Sequence, residues 1–411
     1  MDAAAGGDRP VPDGPAAASD LALARVVRAE NARLVGALAA RIGDLDVAEE
    51  AVADAVAEAL REWRARGIPP NPAAWLATAA RHNALDRLRR DRVYRDKLAL
   101  LTRETAPAEA DERLPLLFGC CHPALAPPAQ LALTLRAVCG VTTAQIARVT
   151  ITPEATIAQR IVRAKRKIGS AAVPLRVPEG AELPERLDIV LTVVSAMYTQ
   201  AHLVPGGDAA TDRDVADDAI WLARVVSDAL PREPEARGLL ALLLFHRARD
   251  DARENDGELV LLDAQDRGAW DPTLLSEARA QLARCAEAKR PGRFQLQAAI
   301  AACHADAATP DDTDWLQILT LYDVLLRWDP SPVVRLNRAV ALGRVEGPSV
   351  ALAEVEELRA PLAGFHLWHA VRAEMLRGLG RDREAIDADL QALELTANDA
   401  ERRLLAARAG L

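Results

Sequence analysis

Thr156, Gln159, Arg160 and Arg163 fall at helical spacing and carry the side chains that read nucleic-acid base edges. Gln pairs bidentately with adenine and Arg with guanine, although which base each residue would meet stays open on one sequence. Lys165, Arg166 and Lys167 follow directly, a cluster suited to phosphate contacts, which position a protein without specifying sequence. All seven lie in IARVTITPEATIAQRIVRAKRK (146–167). The element that positions them is read from the residues between. Ile157, Ile161, Val162, Ala164 and Ile168 supply an apolar face, and Pro153 and Glu154 suit a first helical turn. A short amphipathic stretch, Thr143 to Arg148, precedes them across a tight connection. The pattern predicts a helix-turn-helix with its second helix in the major groove. A solvated basic helix end is the competing reading of this segment alone.

The net charge of −9 argues against nucleic acid until it is divided. Residues 1–170 hold 24 Lys and Arg against 20 Asp and Glu, whereas the remainder holds 27 against 40. The basic residues cluster further: RHNALDRLRRDRVYRDK (81–97) has seven cations and three acids, and five of residues 160–167 are basic. Local patches, and not the total, meet phosphate, and the acidic remainder is a poor DNA surface. With 50% hydrophobic and only 3% aromatic residues, the cores must be built from Ala, Leu and Val, which favours an all-α protein. No apolar run approaches a membrane span, and five cysteines without paired spacing fit a reducing cytoplasm.

Along the chain, residues 1–20 read as a disordered tail without signal-peptide character. Helical patterns occupy 21–42 and 45–65, a turn-rich gap spans Arg66 to Pro72, and a helix begins at Ala73, giving a first region to residue 97. A linker at 98–110 leads to a small helical unit over 111–170. Prolines and a glycine in 171–187 mark a second linker. From 188 to 411 helix follows helix. A 34-residue shift there aligns Ala339 with Ala373, Leu342 with Leu376, Ala351 with Ala385 and Leu352 with Ile386, a tetratricopeptide-like period. Trp315, Tyr322, Trp328, His366, Trp368 and His369 at helical spacing read mostly as core. GCCHP (119–123) lacks a second ligand pair at zinc-binding spacing, so no metal is expected and Cys120 and Cys121 read as structural thiols.

DLDVAEEAVADAVAEALREW (44–63), NPAAWLATAARHNALDRLRR (71–90) and residues 111–168 together resemble regions 2 and 4 of an extracytoplasmic-function (ECF) sigma factor of the sigma-70 family. LLDAQDRGAWD (261–271), DTDWLQILTLYDVLLRWDPSPVVRLNRAVALG (312–343) and FHLWHAVRAEMLRGLGR (365–381) resemble the subgroup with a long tetratricopeptide-like C-terminal extension. The resemblance implies that Asp46, Glu49, Glu50, Asp54 and Glu58 face the clamp helices of the largest subunit of core RNA polymerase. It implies that His82, Asn83, Arg87 and Arg90 contact the −10 element beside a pocket walled by Arg66 to Pro72, with Trp75 packing the helix onto its own domain. Holding unpaired bases requires such a pocket and cations for the phosphates. Thr156, Gln159, Arg160, Arg163, Lys165, Arg166 and Lys167 then meet the −35 element. The extension would regulate through an intramolecular or protein partner. The chain departs from the family at Ala53 (usually Gln), Val56 (usually Phe) and MYTQAHLV (197–204).

No phosphate-binding glycine loop or partnered nucleophile is present in the sequence, so neither an enzyme nor a cofactor is expected, and no membrane partner. The second functional reading is a one-component helix-turn-helix regulator with a helical sensor domain, which shares the DNA-binding helix but predicts no affinity for core polymerase.

Overall fold

The computed structural model describes residues 15–90, 113–202, 209–255 and 258–411. The chain divides into two compact units, Met1–Val193 and Val194–Leu411. Both are helical, and the strands among the described residues are Glu254–Asn255 and Glu258–Leu259, paired antiparallel. The all-α expectation therefore holds. No helix among the described residues is long and apolar enough to cross a membrane.

The first unit opens with α1 (Pro15–Ile42), α2 (Leu45–Arg66) and α3 (Pro72–Arg90). Ala39, Ala48, Ala51, Ala55, Ala59, Ala80 and Ala84 are buried where these helices meet, and such small side chains permit close helix approach. Asp44 caps α2, its carboxylate accepting from the amides of Asp46 and Val47 at 3.1 and 3.2 Å. Asn71 does the same for α3 through the Ala74 amide, so it serves the helix start within the expected pocket wall. Helix α1 begins at Pro15, inside the segment read as a tail. The Ser19 hydroxyl donates to the Trp63 carbonyl at 3.4 Å and Asp20 accepts from Arg64 at 2.8 Å, and these contacts tie residues 19 and 20 to α2. The tail reading of residues 1–14, the cluster over 91–97 and the linker at 98–110 lie outside the described residues.

Four helices follow in the same unit: α4 (Arg113–Cys120), α5 (Pro127–Ala137), α6 (Thr143–Val149) and α7 (Glu154–Ser170). Leu116, Leu117, Phe118, Leu133, Leu135, Ile146 and Ile157 form their fully buried centre, and α4 packs against α1. The segment 171–187, read as a linker, is held to this core. Val173 and Pro178 are buried, Leu175 lies against Gly119, and Arg186 donates to the Phe118 carbonyl at 2.7 Å.

Helix α8 (Leu183–His202) spans the division between the units. The second unit continues with α9 (Ala209–Ala229), α10 (Pro234–Ala248), α11 (Pro272–Glu287), α12 (Arg293–Asp306), α13 (Trp315–Leu325), α14 (Pro332–Glu346) and α15 (Pro348–Glu357). It ends with α16 (Arg359–Leu362), α17 (His366–Gly378), α18 (Asp382–Leu395) and α19 (Asp399–Ala409). From α12 to α16 and from α17 to α19, neighbours in sequence pack on one another, and α17 packs on α15. The pairs α14–α15 and α17–α18 are those related by the 34-residue shift. Ala339, Ala351, Ala373 and Ala385 are fully buried, whereas Ile386 is exposed where its counterpart Leu352 is buried. Of the aromatic residues read as core, Trp368 and His369 are buried, Trp315, Tyr322 and His366 half-buried, and Trp328 exposed.

Candidate nucleic-acid interface

The helix-turn-helix is built by α6 and α7. Thr142 and Gln145 form a reciprocal capping box at the start of α6: the Thr142 hydroxyl accepts from the Gln145 amide, and the Gln145 side chain accepts from the Thr142 amide at 3.0 Å. The Thr-x-x-Gln pattern announces this cap in the sequence. In the turn, the Thr152 amide donates to the Ala147 carbonyl at 2.9 Å. Pro153 stands at the N-cap of α7, one position before the first turn that its fixed φ was expected to occupy.

Ile157, Ile161, Ala164 and Ile168 are buried and seat α7 on the core. Val162, expected on that face, is 54% exposed. The stripe advances by 4, 3 and 4 residues, and Val162 lies about 100° of helical rotation beyond Ile161. Gln159, Arg163, Arg166 and Lys167 are exposed, while Thr156, Arg160 and Lys165 are half-buried.

Ile151, in the turn between the two helices, has φ 47° and is 59% exposed. A β-branched residue in the left-handed region crowds its Cβ against the backbone, a cost of about 1–2 kcal/mol. Ile151→Asn should therefore raise stability by about 1 kcal/mol in chemical denaturation, since asparagine tolerates this conformation and little packing is lost. A lower midpoint would contradict the strain assigned to this turn.

Lys165 does not point freely outward. Its ammonium donates to Asp46 at 3.0 Å and to Glu49 at 2.7 Å, with 12% of the Lys165 side chain and 22% of the Glu49 side chain exposed. Burial alone would pull the ammonium pKa down. Hydrogen bonds and charge from Glu49, then Asp46, outweigh burial and hold it above the ordinary lysine value. Asp46, Glu49 and Lys165, read as belonging to two separate interfaces, thus satisfy one another in this conformation.

A second cross-helix network joins α2 to α3. Arg87 donates to Asp54 at 2.6 and 3.2 Å and also to Glu50, and its hydrogen bonding to Asp54 is the main cause of its raised pKa. Asn83 is half-buried and faces α2. One orientation of its amide donates to the Ala51 carbonyl at 3.5 Å, and the reverse, which suits its neighbours better, donates to Glu58 at 3.2 Å. Asn83 therefore packs α3 onto α2. His82 is exposed, and the side chain of Arg90 lies outside the described residues. Trp75 meets Trp63 edge-on, with centroids 5.8 Å apart, as its packing reading anticipates.

Cys120 and Cys121 are fully buried. Burial drives Cys121 up to about 12 and, aided by the Cys121 and Glu49 charges, raises Cys120 well above its ordinary value. Only the thiolate is nucleophilic, and raised values leave almost none at pH 8. Iodoacetamide at pH 8 should leave both thiols unmodified in the folded protein and label both after denaturation, as read by mass spectrometry. Rapid native-state labelling of either thiol would contradict the structural reading. No group of three or more metal-ligating side chains is found among the described residues.

A family model described as "Sigma-70, region 4" matches residues 116–168, which contain the helix-turn-helix. A second, described as "Family of unknown function (DUF6596)", matches residues 186–286. An uncharacterized protein of Rhizobium meliloti is 39% identical over 385 residues, a match that takes in 89% of this chain and 90% of the relative.

Proposed function

Because this chain belongs to one family with the uncharacterized Rhizobium meliloti protein along nearly its whole length and carries a segment similar to sigma-70 region 4 at residues 116–168, we propose that it is an ECF-type alternative sigma factor of the sigma-70 family with a fused, tetratricopeptide-like regulatory extension. The observation that carries this reading is α7, seated by Ile157, Ile161, Ala164 and Ile168 with Gln159 and Arg163 turned outward, inside the segment matched to region 4. A DNA-binding role in transcription follows from that match. The finer reading assigns Gln159, Arg160 and Arg163 to the −35 element and the acidic face of α2 to core RNA polymerase. It assigns the chain no catalysis of its own, since strand opening in this reading is driven by capture of unpaired bases.

The Lys165 clasp gives this reading a condition. Lys165 reaches a DNA phosphate, and Asp46 and Glu49 reach polymerase, only after α7 separates from α2. Core polymerase, by competing for Asp46 and Glu49, releases the lysine for DNA.

Gel filtration of the purified full chain with core RNA polymerase tests the reading against a one-component regulator. Co-elution is the expected result. A protein that binds promoter DNA alone and never travels with core enzyme would be the regulator instead.

A further inference from the structure

Buried hydrogen-bond donors without partners gather at one place in the second unit, between the C-terminal ends of α10 and α12. They are Nε of Arg249, Nε and Nη2 of Arg267, and the indole N–H of Trp270. Nδ1 of His304 lacks a partner in the same neighbourhood. The backbone brings these residues together. The Asp271 amide donates to the Ala248 carbonyl at 2.8 Å, which fixes the start of α11 beside Arg249. Arg267 donates its Nη1 to the His304 carbonyl, and its guanidinium stacks 4.5 Å from the Trp270 ring centroid. Trp270 itself is only 4% exposed.

Charge compounds the surplus of donors. Burial, then the neighbouring Arg253, brings Arg249 down to about 10, and burial with Arg267 and Arg249 brings His304 down to about 4. The nearby carboxylates only partly offset this: Asp250 acts on Arg249 by its charge without hydrogen-bonding to Arg249 Nε. Asp250 accepts from Arg247 at 3.2 Å, and Asp263, the acid closest in effect to Arg267, pairs with Arg344. Guanidinium groups removed from water require acceptors, and a planar fork fixed by stacking is matched by an oxyanion.

We propose that Arg249, Arg267 and the Trp270 indole form a binding site for a small oxyanion, carboxylate or phosphate, in the C-terminal unit, with His304 beside it. The ligand supplies several acceptor oxygens to donors that the protein leaves unmet. The second unit thereby acquires a sensing site for an anionic small molecule, and binding there needs neither polymerase nor DNA.

The test uses the full-length chain in a phosphate-free buffer at constant ionic strength, titrated separately with inorganic phosphate and with acetate. Calorimetry and thermal denaturation follow binding. At least one anion should bind saturably and raise the melting temperature; phosphate alone assigns a phosphate ligand, and acetate alone a carboxylate. Arg249→Gln and Arg267→Gln should each weaken binding by about tenfold or more, because each removes a charge-assisted donor. Arg381→Gln, a change at an exposed Arg381–Glu384 pair, should bind as the parent does. Arg249→Met adds a readout that a purely structural arginine would not give: without ligand it should melt no lower than the parent, because it removes a poorly compensated buried charge, and it should gain no stability from the anion. Absence of saturable binding by both anions, or equal binding by the parent and both glutamine variants, would overturn the proposal and leave the cradle filled by water.

Discussion

Glu50→Lys combined with Asp54→Lys should abolish co-elution with core RNA polymerase while circular dichroism shows the helical content unchanged. Reversing two charges at a partly desolvated interface costs about 2–5 kcal/mol, and the exposure of both carboxylates places this case toward the lower end. Even that end is more than a tenfold loss of affinity. The network around Arg87 sharpens the experiment, because Arg87 now binds Glu50 and Asp54. Both new lysines would face it with like charge, so the double variant also loosens α3 from α2. Arg87→Ala separates the two effects. It frees the carboxylates for polymerase, so core binding should persist, while use of the −10 element should fall if Arg87 swings to DNA on opening. Retained core binding by the charge-reversal variant would remove α2 from the docking surface.

Arg160→Ala with Arg163→Ala should lower transcription from a −35-dependent promoter by about tenfold or more, each lost base contact being worth about 1–3 kcal/mol. Core binding should be unchanged, because neither arginine belongs to the α2 face. The buried stripe of α7 is untouched by the double substitution, so the helix keeps its seat. Unaltered transcription, with the −35 element still required, would move recognition to other residues of the helix-turn-helix.

The two most periodic features were readable from the chain alone. A stripe at 157, 161, 164 and 168 needs only helical geometry to become a buried face, and the structure places all four inside. The capping box at Thr142 and Gln145 is equally local. Val162 shares the apolar character of the stripe but not its angle around the helix, and it is exposed. The cross-helix partners were not readable at all. Lys165 meets Glu49 across 116 residues, and Arg87 meets Glu50 across 37. Each acidic or basic run looks like a free surface until the fold brings its counterpart to it. For the same reason the packing of the half-buried Asn83 amide against α2 is not visible in the sequence. In the C-terminal half, the 34-residue period follows the small residues Ala339, Ala351, Ala373 and Ala385, which helix pairing places in the core. The Arg249, Arg267 and Trp270 cradle follows no period, because it is assembled from a helix end and irregular turns.

The central claim is that this chain directs core RNA polymerase to promoters, and reconstituted run-off transcription tests it most directly. The template would carry a promoter mapped after overexpression, with core polymerase and the full-length chain added separately and together. A discrete transcript from the mapped start, present only when both proteins are present and lost with Glu50→Lys/Asp54→Lys, is the predicted result. No specific transcript under conditions where a known sigma factor is active with the same core enzyme would contradict the account.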